Sequence, residues 1–145
     1  MNIFQTVYIS NVTELFNSQC FSSLAKKASD KNSLIGVTGA LLFIEGYFIQ
    51  VLEGDELIVR DLMASIAADV RHTRLKIIME VSQEERDFSG LAMGAVSLKR
   101  LNSNDIKVIS RICRKRSGEN LNSTNDIDSL SIILDMFKAN KDFLK

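Results

Sequence analysis

Tyr8 and Gln50 are the two side chains whose chemistry stands out against their surroundings. Tyr8 lies mid-segment with Phe4, Thr6 and Ser10 on its face by period two; Gln50 lies in YFIQVLEG with Phe48 and Leu52 on its face. A phenol and a carboxamide on buried strand faces need partners, because an unpaired buried polar group costs about 1–3 kcal/mol. Periodicity leaves two readings open: the pair satisfies itself, or a bound group joins it. His72, the single histidine, is a candidate general base, but no nucleophile stands near it in sequence. At a helix C-terminus the dipole favours it without any catalytic role. Cys20 and Cys113 are far apart and form no CxxC. With one histidine they are too few ligands for zinc, and they read as reduced thiols of a cytoplasmic protein. GxGxxG, Walker A, HExxH and GxSxG patterns are absent from the sequence.

Regular elements must position these residues. Ile3 to Ser10 alternates as a strand, and Thr13 to Ser29 carries Leu15, Phe16, Phe21, Leu24, Ala25 and Ala28 at helical spacing. The polar run Asp30-Lys31-Asn32-Ser33 suits a helix end or turn. Two apolar runs flank Glu45-Gly46, which predicts a hairpin over residues 37–44 and 47–53. Asp55 is the expected N-cap of a second helix to Asp69, with Leu57, Ile58, Leu62, Met63, Ile66 and Ala67 as its buried stripe. Leu75 to Val81 and Met93 to Leu98 are a fourth and fifth strand, separated by the polar SQEERDFSG. The order is the ferredoxin-like β-α-β-β-α-β sandwich of an α/β (α+β) fold, with an extra fifth strand. Two C-terminal helices follow, Asn104 to Lys115 and Ser129 to Phe143, joined by the polar GENLNSTND. They are too short to form a domain alone and are expected to pack on the free sheet face or on a partner.

Lysine plus arginine and aspartate plus glutamate both number 18, so no global field steers the chain to nucleic acid or an anionic membrane. Arg111, Arg114, Lys115 and Arg116 form one basic cluster, but without interleaved aromatics it reads as a solvated helix terminus. No stretch approaches the length of a membrane span, and the N-terminus lacks the pattern of a signal peptide.

Tyr8 in a first strand, Asn32 after the first helix, GVTGALLF, GYFIQVLEG, and DVRH closing the second helix together resemble the BLUF family of blue-light photoreceptors. The resemblance is to its short stand-alone members of the PixD type, which also end in two helices. It covers residues 1–98 in consistent order, and the tail more loosely. It implies a flavin-binding domain over 1–98 and a two-helix output or oligomerisation extension over 99–145. Tyr8 matches the photoactive tyrosine that gives an electron and a proton to the excited flavin, and Gln50 the switch glutamine between tyrosine and flavin. Asn32 matches the asparagine at the pyrimidine end of the ring, and Arg71 and His72 a pair near its polar edge. Leu24, Ala25, Ala28 and Ile66 match apolar positions of the two helices that flank the ring. Met93 matches a fifth-strand methionine beside the glutamine. Where many members carry tryptophan two residues earlier, this chain has Leu91, which implies a methionine-in arrangement.

The resemblance further implies non-covalent FAD or FMN, no substrate turnover, and a light signal passed by self-association as a homo-oligomer or to a response-regulator-like partner. Two rivals from other classes are a small ferredoxin-like enzyme of the acylphosphatase type, with Arg71 and Asn32 as its cradle, and a light-independent ligand-binding regulatory domain.

Overall fold

The computed structural model of the chain describes residues 2–96, 101–115 and 124–139. Within them, β1 (Ile3–Val12), β2 (Thr38–Ile44), β3 (Tyr47–Gly54), β4 (His72–Gln83) and β5 (Gly94–Val96) form one sheet in the order β4-β1-β3-β2-β5. β1 pairs antiparallel with β3 and β4, β2 antiparallel with β3, and β5 parallel to β2. The first four strands, with α1 (Phe21–Ile35) and α2 (Glu56–Ala67) between them, are the expected ferredoxin-like sandwich. The β2–β3 hairpin turns at Glu45 and Gly46, both at positive φ (46° and 88°), as the two-residue primed turns of right-twisted hairpins require.

Strand alternation sends side chains to two separate cores. Phe4, Tyr8, Leu41, Phe48 and Leu52 pack with Val59, Leu62 and Met63 of α2 and with Leu24, Ala28 and Ile35 of α1. Val7, Ile9, Ala40, Leu42, Ile49 and Val51 face the other way. They meet Ile109, Ile112 and Cys113 of α3 (Ser103–Lys115) and Ile133, Met136 and Phe137 of α4 (Thr124–Ala139). The free sheet face is thus covered by the C-terminal helices, the first of the two arrangements expected for them.

Several boundaries differ from those read in the sequence. Residues 13–17 are not helical: Thr13 Oγ1 donates to Val70 O and accepts from Leu15 N, and Asn17 caps a short 3-10 turn at Ser18–Cys20. α1 therefore starts later, and Leu15 is exposed. It also ends later, because Asp30 to Ser33 lie inside it. Their helix propensity is only a few tenths of a kcal/mol poorer than that of strong formers. The stop comes at Gly36, in the left-handed region (φ 71°), where Gly36 and Val37 both donate to Asn32 O. Asn32 is thus in the last turn of α1 rather than after it.

Asp55 caps α2 as expected, accepting from Ile58 N. The buried stripe starts at Val59, and Leu57 and Ile58 are exposed (74% and 38%). α2 ends at Ala67, so His72 does not close that helix; it opens β4 and is buried. β4 is longer than expected at both ends. Met93 lies just before β5, and residues 97 and 98 of the expected fifth strand lie outside the described residues. So do Arg116, most of the linker, and residues 140–143 of the last helix, and the side chain of Leu130 is likewise not described. α4 begins at Thr124, inside the segment read as linker.

Gly39 fixes how closely β2 approaches β3. A Cβ there would lie 1.9 Å from the Val51 carbonyl oxygen, a backbone atom that cannot move without parting the strands. Gly39→Ala is expected to destabilise the fold by about 2 kcal/mol or more, by the scale of overpacked cores. Urea unfolding of the purified variant measures it, and an unchanged midpoint contradicts the close approach.

Candidate functional site

The antiparallel register sets Tyr8 of β1 directly opposite Gln50 of β3. Both side chains rise on the α1–α2 face, where the Tyr8 hydroxyl donates to Gln50 Oε1 at 2.5 Å. Gln50 Nε2 in turn donates to Met93 Sδ at 3.4 Å. These neighbours fix the amide's orientation, because a thioether sulfur accepts and cannot donate; the reverse placement would set two acceptors together. Burial pushes the Tyr8 phenol far above its ordinary value, with the Asp69 carboxylate adding to the effect. Tyr8 therefore keeps its proton at neutral pH and is the donor of the pair.

Above this pair a cavity of about 250 Å³ opens between α1, α2 and the central strands. One face of α1 lines it with Leu24, Lys27, Ala28, Lys31 and Asn32, at the spacing of neighbours on a helix face. Ile66, Leu62 and Ser65 of α2, the strand residues Leu41 and Phe48, and the following Asp69, Arg71 and His72 complete the wall. The structure so gathers Tyr8, Leu24, Ala28, Asn32, Gln50, Ile66, Arg71 and His72 around one space. Ala25 is not part of the lining: one residue on from Leu24, it is turned about 100° around the helix and is buried. Met93 touches Gln50 but does not line the cavity.

The polar members are held from outside. Asn32 is buried and donates one N–H to Ala92 O at 3.1 Å, which leaves the amide further donor and acceptor capacity. His72 Nε2 lies 2.5 Å from Ile66 O and Nδ1 lies 2.7 Å from Ser10 Oγ. A carbonyl only accepts, so Nε2 carries a proton, and the imidazole ties β4 to β1 and to the end of α2. Arg71 is forked onto Asp69, Nη2 to Oδ2 at 2.5 Å and Nε to Oδ1 at 3.0 Å. This bond, opposed by partial burial, holds the Asp69 carboxyl down at about 2. Arg71 is engaged by Asp69, which disfavours an acylphosphatase-like cradle. Arg114 of the basic cluster sits 4.0 Å from Glu45 on the far side of the sheet, an exposed pair.

Sequence reasoning missed Asp69, Lys27, Leu41, Phe48 and Leu62 as lining residues. Lys27 was findable, three residues after Leu24 and one before Ala28 on the same helix face. Asp69 depends on how the chain turns between α2 and β4, for which no local signal exists.

The fold and site define a small ligand-binding α+β domain, its cavity between two helices and the central strands. Residues 3–94 match the BLUF family, described as sensors of blue-light using FAD, and the chain belongs to that family. It is a blue-light sensor built around a flavin. Among relatives, photoactivated adenylate cyclase subunit beta of Euglena gracilis is 35% identical over 79 residues, 53% of this chain and 9% of that protein. The same subunit of Euglena longa is 31% identical over 81 residues, 56% of this chain and again 9% of its own. The chain thus spans about a tenth of the length of the curated relatives it matches.

Among solved structures, BlsA in its photo-activated state superposes with a TM-score of 0.70 at 26% identity, covering 92% of this chain and 95% of BlsA. Klebsiella pneumoniae BlrP1 with FMN and cyclic diGMP gives 0.67 at 27%, covering 95% of this chain and 35% of BlrP1.

The residues present fit a flavin. Small Ala28 and apolar Leu24 and Ile66 accept a flat ring, the Gln50 and Asn32 amides offer hydrogen bonds to it, and Lys27 and Lys31 supply cations.

The Asp69–Arg71 pair yields a pH prediction with a definite sign. A carboxyl lowered in the folded state stabilises above its unfolded pKa of about 3.9, and that contribution is lost as pH falls through about 2. Guanidinium unfolding of wild type and Asp69→Asn is expected to differ at pH 6 and to converge as pH falls below about 4. A gap that stays constant contradicts the ion pair.

Proposed function

We propose that the chain works as a blue-light switch in which Tyr8 and Gln50 are the moving parts. On this reading the domain over 1–98 holds FAD or FMN non-covalently, and the extension over 99–145 carries the output. It turns over no substrate. It acts in the cytoplasm by changing its association with itself or with a response-regulator-like partner. The observation that carries the reading is the short Tyr8–Gln50 hydrogen bond in the cavity wall, backed by the sulfur of Met93. Cys20 and Cys113 are in no disulfide, which suits the cytoplasm. Among the described residues no helix is long and apolar enough to cross a membrane.

A bound flavin supplies absorption of blue light and an excited state that takes up an electron. Tyr8 is the residue placed to give one, and its proton has a short path to Gln50 Oε1. When both the electron and the proton are back on Tyr8, the amide has two orientations to settle in. In one, Nε2 meets Met93 and Oε1 accepts from Tyr8, as seen here. In the other, Nε2 donates to the Tyr8 oxygen and Oε1 faces the sulfur, which pushes Met93 away. Two arrangements separated by bonds worth about 1 kcal/mol each form an element that a small input can bias. FAD agrees with the family's description and FMN with the ligand named for BlrP1. The cations at the cavity suit the phosphates of either.

Three variants test the reading by absorption before and after blue light. Tyr8→Phe and Gln50→Leu are expected to keep flavin and lose the reversible red shift; a normal photocycle in either sinks the mechanism. Asn32→Ala is expected to weaken flavin retention by about tenfold, the scale of one buried polar partner lost. Acid is expected to release the flavin, and chromatography of the released pigment separates FAD from FMN. Pigment that stays with the chain refutes non-covalent binding.

A further inference from the structure

We propose that Glu53 is a positioning residue of the switch: its buried carboxylate fixes residues 86–88, and through them seats Met93 on Gln50 and presents Asp87 and Phe88 to α4. The proposal rests on the reading of Tyr8 and Gln50 given above and adds how their state reaches the C-terminal helices.

Glu53 is fully buried (0% exposed) on β3, three residues beyond Gln50 and on the opposite sheet face. Four donors converge on it. Oε1 accepts from Thr38 Oγ1 (2.9 Å) and Phe88 N (2.7 Å), and Oε2 from Gln5 Nε2 (3.1 Å) and Asp87 N (3.0 Å). Two of these are backbone amides of consecutive residues outside any strand, so the carboxylate holds main chain in place. Arg86 closes the clamp by donating to Thr38 Oγ1, Glu53 O and Gly36 O.

From this anchor the segment runs to the switch. Leu91 O accepts from Gly39 N, Ala92 O from Asn32 and Met93 Sδ from Gln50. On its other side the same segment meets α4. Asp87 lies 3.5 Å from Lys138 Nζ, and the Phe88 ring stands edge-on to Phe137 with centroids 6.3 Å apart. One strap therefore meets α4 through Asp87 and Phe88, the residues that Glu53 holds, and reaches the switch five residues further on at Met93.

The test uses the full chain with its flavin. Glu53→Gln keeps the volume but turns a donor amide toward donors. Recovery of the dark spectrum after a flash, and light-minus-dark hydrogen exchange of residues 131–139, are the readouts; a merely structural role moves neither while the protein stays folded and yellow. Glu53→Gln is expected to keep the red shift, recover about three to ten times faster, the rate scale of one hydrogen bond, and lose the light-dependent exchange in α4. Glu53→Asp is expected to restore part of both. Lys138→Met is expected to leave recovery alone and shrink the α4 difference. If Glu53→Gln does not fold, Arg86→Met takes its place with the same expectations. Unchanged or slower recovery in a folded, flavin-loaded variant overturns the seating of Met93. Faster recovery with an unchanged α4 difference overturns the link to the helix. Absence of any red shift in the wild type overturns the switch itself, and Glu53's role with it.

Discussion

Tyr8 and Gln50 face one another because β1 and β3 pair with those residues opposite, and the rest of the site depends on that one alignment. A phenol and an amide buried side by side are tolerable only when each satisfies the other. The geometry that makes them tolerable is also what the proposed switch uses. Gln50 can present either end of its amide, and its surroundings decide which: a phenol that can give or accept, and a sulfur that only accepts. α1 and α2 then have a simple task. They must leave room above the pair, which Ala28 does, and supply the polar fringe, which Asn32, Lys27 and Lys31 do.

Much of this was legible in the sequence, and what was not has a physical reason. Period two placed Tyr8 and Gln50 on buried faces, Glu45-Gly46 marked the hairpin and Asp55 the start of α2, because each signal is local. Periodicity could not say that the two residues are partners, since cross-strand register is a tertiary property. The end of α1 was misread because Asp30 to Ser33 look like a turn, while the helix needs a left-handed residue to stop and finds it only at Gly36. His72 was placed on the wrong element for a related reason: four residues of irregular chain separate it from Ala67. Even so, its Nε2 reaches back to a carbonyl of α2. Glu53 escaped attention because a glutamate near a strand end reads as solvated until the loop that buries it is in place.

The sheet is one layer shared by two cores, and its central strands are apolar on both sides. A strand buried on both faces has little in its own pattern to mark which residue belongs opposite which. Here two polar cross-strand pairs supply the mark. Tyr8 stands opposite Gln50 on one face, and three residues along each strand Gln5 stands opposite Glu53 on the other, each pair hydrogen-bonded. A slip of one residue would turn Gln50 toward the α3–α4 core and Glu53 toward the α1–α2 core, stranding both without partners. No misalignment of β1 on β3 satisfies both pairs together. The residues proposed to answer to light are therefore also alignment pegs during folding, so substitutions at Tyr8 or Gln50 bear on the fidelity of strand pairing as well as on the proposed switch.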